Sequence, residues 1–237
     1  MLLNSGAMTR ILAFDTATDR GTVALVEAGE DGRVVACAEA AATVDSRHGE
    51  TLLGLIEGAM LRAGCTPAEL DLVVVGLGPG SFTGVRVGLA TAKGLAVALG
   101  VPLVGISTLA VLAAAAGDRD VVAVIDARRG EVFAARYRGG LEVGEPLVGA
   151  PAEVARALAA QLDGAQPLLV GAAARGTELA GLGELAPPDF DAPSAAVLGQ
   201  LGHQRWRSAG PSDLAGLTPR YLRGADVTTP KGPAQAG

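Results

Sequence analysis

Val73-Val74-Val75-Gly76-Leu77-Gly78-Pro79-Gly80-Ser81-Phe82-Thr83-Gly84-Val85-Arg86 reads as a buried strand that enters a glycine-rich turn and runs directly into a helix. Four glycines and a proline let backbone amides turn toward a ligand, and the first amides of the helix have no internal partner. The turn therefore has the outline of a phosphate loop. It lacks that loop's lysine. None of its glycines is followed at the required distance by Gly-Lys-Ser or Gly-Lys-Thr, and Ser81 and Thr83 stand where the dinucleotide fingerprint needs glycine. Both standard nucleotide loops are disfavoured, while Gly78, Gly80 and Ser81 stay as candidate phosphate contacts.

Upstream, Ile11-Leu12-Ala13-Phe14 ends at Asp15, residues 16–21 supply a turn, and residues 22–26 return as a strand. Downstream, Val121-Val122-Ala123-Val124-Ile125 ends at Asp126, Ala127-Arg128-Arg129-Gly130 turns, and residues 131–137 return. A repeated strand, acid, turn and strand points to two related α/β domains, one starting near Ile11 and one near Val121. Asp15 with Thr16, and Asp126 in the second copy, occupy the strand ends where two-domain phosphate-handling proteins place magnesium-linked carboxylates. Aspartate also simply favours turns, and Arg128 and Arg129 stand ready to neutralise Asp126.

Two helices flank the quoted strand. Residues 46–63 open on Ser46 as a cap and close at Gly64, with Leu52, Ile56, Ala59 and Ala63 in one stripe that Leu53 and Met60 widen. Residues 84–99 carry small residues at four-residue spacing in two rows, Gly84, Gly88, Ala92 and Ala90, Gly94, Ala98. Backbones can approach such rows closely. With two charges in sixteen residues, this helix must be covered nearly all round, by its own core or by a partner. Further elements are expected as strands at 101–106 and 168–170 and helices at 108–116 and 195–207.

A chain of 237 residues that is 49% apolar suits two small domains, and 34 glycines with 3% aromatics suit closely packed α/β layers. A net charge of −6 argues against an autonomous nucleic-acid binder. Cys37 and Cys65 lack metal-ligand spacing and read as reduced thiols of a cytoplasmic protein. Residues 1–7 read as an extension ahead of Met8, the stretch after Arg223 as a disordered tail, and no uncharged run reaches membrane length because Arg86 and Lys93 interrupt the best one. The two histidines, His48 and His203, form no metal motif and no Ser-His-Asp order, and both read as solvated or capping. Neither a catalytic nor a metal residue is assigned. The basic cluster Arg205, Arg207, Arg220 and Arg223 reads as solvated.

Ile11-Leu12-Ala13-Phe14-Asp15-Thr16-Ala17-Thr18, His48-Gly49-Glu50-Thr51-Leu52-Leu53, Gly78-Pro79-Gly80-Ser81-Phe82-Thr83-Gly84-Val85-Arg86-Val87-Gly88 and Pro219-Arg220-Tyr221-Leu222-Arg223 together resemble the TsaB (YeaZ) family, over residues 9–223. The resemblance implies a duplicated actin-like ATPase (ASKHA, ribonuclease H-like) fold. Its first domain would span residues 9–106, joined by the late helix at 193–223, and its second residues 107–192. It further implies a non-catalytic partner of TsaD, the paralogue that carries the metal and the threonylcarbamoyl transfer to tRNA adenosine. No cofactor is implied. Where TsaD presents a histidine pair, this chain has Ser107-Thr108-Leu109-Ala110-Val111-Leu112-Ala113. The expected TsaD interface is helices 46–63 and 84–99, through Leu53, Ile56, Met60, Val87, Ala90, Gly94 and Ala98. TsaE would be recruited with TsaD, tRNA touched only indirectly, and the same face would suit a homodimer in isolation. The alternative is a small-molecule kinase or weak ATPase of the same fold, with Asp15 and Asp126 around magnesium and ATP.

Overall fold

The computed structural model describes residues 8–29, 31–43 and 48–222; the expected cap Ser46, the His48 side chain, the opening extension and the tail from 223 lie outside the described residues. β1 (Thr9–Asp15) and β2 (Arg20–Ala28) pair antiparallel around the Thr16–Asp19 turn, and β3 (Val34–Thr43) extends the meander. α1 (His48–Ala63) then leads to β4 (Leu72–Gly76), parallel to β1, and α2 (Phe82–Leu99) leads to β5 (Leu103–Ile106), parallel to β4. The sheet order is β3-β2-β1-β4-β5.

The second half repeats this path. After α3 (Thr108–Ala114), β6 (Val121–Arg128), β7 (Glu131–Arg138) and β8 (Leu141–Gly149) form a second antiparallel meander. α4 (Pro151–Leu162) leads to β9 (Leu168–Val170), parallel to β6, and β10 (Glu184–Leu185) lies parallel to β9. The order β8-β7-β6-β9-β10 copies that of the first sheet. Where the first half has α2, the second has only short 3-10 turns at Ala172–Ala174 and Glu178–Leu182.

Each half also sends its last helix across to the other. α3 follows β5 yet lays Leu109, Leu112 and Ala113 against β6 and β7. α5 (Ala195–Ala209) follows β10 yet lays Ala195 and Leu198 on Ile11, Ala13, Val26 and Val74 of the first sheet. It sits close because Gly199 and Gly202 face that sheet: a Cβ at Gly199 would lie 2.7 Å from Val26 Cγ2, and one at Gly202 would collide with Val74. The opposite face of the first sheet is covered by α1 and α2 together, through Leu52, Ile56, Ala59, Leu89, Ala92 and Ala96. Burying such side chains contributes roughly 1.5–3 kcal/mol for each large one. Among the described residues α2 alone is long and apolar enough to cross a bilayer by composition, and here its buried row lies on β4.

β3, β8 and α4 were not expected from the sequence. β3 is an edge strand of alanines and exposed polar residues, and β8 is largely exposed, so neither shows an apolar alternation. α4 did carry a readable signal, with Pro151 in the first turn and Val154, Leu158 and Leu162 as a buried stripe.

Candidate functional site

The glycine loop is filled by its own chain. Ser81 N donates to Ala17 O at 2.7 Å, and Thr16 Oγ1 donates to Gly84 O at 2.7 Å, so the tip of the β1–β2 hairpin lies inside the loop. A Cβ at Gly80 would collide with the Ala17 carbonyl, at Gly84 with the Thr16 carbonyl, at Gly88 with Thr16 Oγ1 and at Gly76 with the Asp15 carboxylate. The glycines make room for protein. Ser81 caps α2 by accepting from Gly84 N at 3.2 Å, which removes one of the amides an anion would use. Gly78, at φ 78°, donates its N–H to Thr108 Oγ1 at 3.1 Å and accepts from Thr108 N at 2.9 Å. The expectation that Thr16, Gly78, Gly80 and Ser81 hold phosphate is corrected accordingly: the Thr16 and Ser81 hydroxyls and the Gly78 backbone are engaged within the fold, and Gly80 packs against the Ala17 carbonyl.

Asp15 is corrected for the same reason. It is fully buried, with Oδ1 accepting from Ala17 N at 2.7 Å and Oδ2 accepting from Thr108 Oγ1 at 2.7 Å. Burial pushes its carboxyl above the ordinary range, and the Thr108 and Ala17 hydrogen bonds pull back against that. It pins β1, the glycine loop and the start of α3 to one another rather than facing solvent.

Asp126, by contrast, is exposed. It accepts from Arg128 N at 2.7 Å and Arg128 Nη1 at 3.2 Å, and the same guanidinium reaches Asp19 in the first half. This ion pair crosses a cavity of about 610 Å³ between the halves, where Asp19, Glu39, Asp126, Asp189 and Asp191 outnumber Arg20 and Arg128. The chamber repels phosphate by charge. Among the described residues no three His, Cys, Asp or Glu side chains gather to hold one metal ion.

Of the seven expected interface residues, the structure divides the set. Ile56 (6% exposed) and Met60 (9%) turn inward and belong to the chain's own core, because a helix lying on a sheet must give that stripe to the sheet. Leu53 is 56% exposed, Ala90, Gly94 and Ala98 are exposed, and Val87 is half-buried. Leu61 (82% exposed) on α1 and Val97 (67%) on α2 join them, neither anticipated. Nothing lies within 4 Å of a Cβ built on Gly94.

Two further readings are corrected. His203 is buried on α5 beside Trp206, and burial, then Arg207, lowers its pKa below the usual histidine range. Arg220 is not solvated: it grips Glu142 of β8 through both Nη groups, at 3.1 and 2.6 Å, and Tyr137 O–H donates to the same carboxylate at 2.7 Å. Arg220 N also donates to Leu77 O, so residues 219–222 strap the first half to the second. The Pro-Arg-Tyr-Leu motif is visible in sequence; its partner 78 residues away is not.

The matching strand orders, the crossed helices and the chamber between the sheets define an α/β protein of the actin-like class, with its glycine loop closed by its own hairpin. Residues 41–181, more than half of the chain, match the family model described as TsaD: tRNA N6-adenosine threonylcarbamoyltransferase. The chain belongs to that family, on its TsaB/YeaZ branch. The protein titled as similar to peptidase YeaZ from Pseudomonas aeruginosa superposes with a TM-score of 0.73 at 28% identity, over 91% of this chain and all of that one. The tRNA threonylcarbamoyladenosine biosynthesis protein TsaB of Escherichia coli is 40% identical over 133 residues, 54% of this chain and 55% of that protein. An uncharacterized Mycobacterium leprae protein is 42% identical over 148 residues, 62% of this chain and 40% of its own length. The matched stretch thus spans about half or less of these sequence relatives.

Proposed function

We propose that the chain is a non-catalytic scaffold in the synthesis of N6-threonylcarbamoyladenosine in tRNA, docking on a TsaD-type catalytic subunit in the cytoplasm and helping to recruit TsaE. The observation that carries this reading is the uncovered outer row of α2, Ala90, Gly94, Val97 and Ala98, beside exposed Leu53 and Leu61 of α1. Small side chains let a partner helix approach closely, and each Å² of apolar surface covered contributes about 25 cal/mol before the cost of association. A catalytic role finds less support. Asp15, the carboxylate a kinase reading needs, is sealed under Thr108, and Arg128 fills the space before Asp126.

Replacing Ala90 or Gly94 by Glu places a charge on that row without touching the core. Both variants should fold, lose capture of the catalytic subunit, and fail to support modification when TsaD, TsaE and tRNA are reconstituted. Undiminished capture by both would remove the interface from consideration. Modification that proceeds equally well without the chain would remove the scaffold role itself. In isolation the same face should self-associate, and Gly94→Glu should shift sedimentation toward monomer.

A further inference from the structure

Both cysteines of the chain, Cys37 and Cys65, line one small cavity of about 30 Å³ together with Arg10 and Glu27. Two separate local devices bring them there. In β3, Leu25 pairs with Ala38 and Val26 with Ala36, so Cys37 is the extra residue of a β-bulge, which bends a strand and re-aims the unpaired side chain. At the end of α1, Gly64 takes φ 63°, its N–H donates to Leu61 O at 3.2 Å and Cys65 N–H donates to Met60 O at 3.0 Å, the closing turn that a left-handed glycine makes. That turn fixes Cys65, half-buried, at the margin of the core that α1 shares with the first sheet, and α1 itself packs against β3.

Neither thiol is held strongly where it stands. Cys37 Sγ donates to Val35 O at 3.9 Å and Cys65 Sγ to Thr66 O at 3.5 Å, both weak bonds within the thiol's own segment. Cys37 is exposed on an edge strand, so a small reagent can reach it. Burial, then Glu27, raises the Cys37 thiol above its ordinary pKa; burial, then Glu69, does the same to Cys65, and Arg10 pulls both back. A charge on Cys37 is felt at Cys65, so the two sulfurs lie within electrostatic reach of one another. Protonated at neutral pH, the pair reacts slowly and stays open until an oxidant is in excess.

We propose that Cys37 and Cys65 are a reversible dithiol pair that closes to a disulfide when a low-molecular-weight disulfide of the glutathione type is in excess, tying the edge strand β3 to the end of α1. The exposed Cys37 thiolate attacks one sulfur of the reagent, breaking its S–S bond, forming a mixed disulfide and releasing one glutathione thiolate. The Cys65 thiolate then attacks the Cys37 sulfur, forming the internal S–S bond and releasing the second glutathione. The protein loses two electrons, the reagent gains them, and the two thiol protons end on the two glutathiones. Closure removes freedom from the unfolded chain between the two cysteines and holds the last turn of α1, which carries exposed Leu61. The chemistry does not depend on the partner proposed above.

Equilibrating the full, folded chain with mixtures of glutathione and glutathione disulfide, trapping free thiols by alkylation and weighing the products tests this directly. The expected product is lighter than the reduced chain by two hydrogens, carries no glutathione, and yields on digestion one peptide pair joined through Cys37 and Cys65. Because the second attack is intramolecular, the mixed disulfide should stay below about a tenth of the protein at every ratio. Cys37→Ser and Cys65→Ser should each stop at a single glutathione adduct. The closed form should melt at a higher temperature than the open one and slow amide exchange in β3 and the last turn of α1, and both changes should vanish on adding a dithiol reductant. Glutathione accumulating on both cysteines of one chain, a disulfide between two chains in place of the internal one, or a closed form that melts below the open one would overturn the pair. The first readout is taken on the unaltered sequence, so it stands even where a serine variant fails to fold.

Discussion

The two faces of α2 carry nearly the same residues and have opposite fates. Gly84, Gly88, Ala92 and Ala96 lie against the Thr16 turn and the first sheet, where no side chain larger than hydrogen fits at the first two positions. Ala90, Gly94 and Ala98, offset by half a turn, are exposed, and nothing lies within 4 Å of a Cβ built on Gly94. A small-residue row therefore says that something comes close, without saying whether it is the chain itself or another. In this helix the answer is one of each: the hairpin tip occupies the inner row, and the outer row is left open.

The sharpest way to break the contrast is to add a methyl group to each row in turn. Gly84→Ala drives a Cβ into the Thr16 carbonyl, a rigid backbone group, and should destabilise the fold by about 3 kcal/mol through overpacking in urea unfolding. A loss below about 1 kcal/mol would mean that the hairpin tip is not held inside the loop. The next effect tests the N-terminal end of the outer row, where the 219–222 strap meets α2 through Tyr221 and Arg86. Arg220→Ala releases Glu142 and, with the two side chains 34% and 26% exposed, should cost about 1–2 kcal/mol. If the strap joins the halves, Arg220→Ala and Glu142→Gln should be markedly non-additive in a double-mutant cycle.

Much of this was legible before any coordinates. The repeated hairpins at Asp15 and Asp126 announced the duplication, and the two rows on α2 announced two close approaches. What the sequence hid was partnership over distance. Nothing near Asp15 says that Thr108, 93 residues away, will take its second oxygen, nor does the glycine loop say that Thr16 and Ala17 will fill it. The loop reads as a phosphate site because glycine spacing encodes room, and room is silent about its occupant. Ile56 and Met60 were misplaced for a related reason: a stripe wide enough for two neighbours does not tell which side chains go to which.

Proton linkage separates what lies under the inner row from a comparable acid in the other sheet. Asp15 has its carboxyl raised by burial, so its favourable contribution is complete below the unfolded value of about 3.9 and is lost as pH rises through the folded value. Asp120 is the reverse case. Arg136 donates to it at 2.9 and 2.6 Å and Arg138 at 3.1 Å, and these hold it low, so its contribution is present above about 3.9 and lost as pH falls through the folded value. Urea unfolding from pH 3 to 7 should show Asp15→Asn removing a decline toward neutral pH and Asp120→Asn removing a decline toward acid, each at most about 1.4 kcal/mol per pH unit. Parallel profiles for Asp15→Asn and the unaltered chain would mean that Asp15 ionises alike in the folded and unfolded states, so that burial does not raise its carboxyl.

The smallest expected change in stability is also the one that bears most directly on function. Gly94→Ala adds a methyl group where nothing lies within 4 Å and removes a glycine from a helix interior, so the isolated chain should gain about 0.5–1 kcal/mol. If the outer row receives a partner helix at close range, that methyl group stands where the partner's backbone must approach, and capture of the catalytic subunit should weaken as the melting temperature rises. A purely structural glycine would move both measurements in the same direction, and a merely solvent-facing one would leave capture untouched. The opposite signs expected here separate the role of the outer row in binding from that of the inner row in folding, with a perturbation of one carbon.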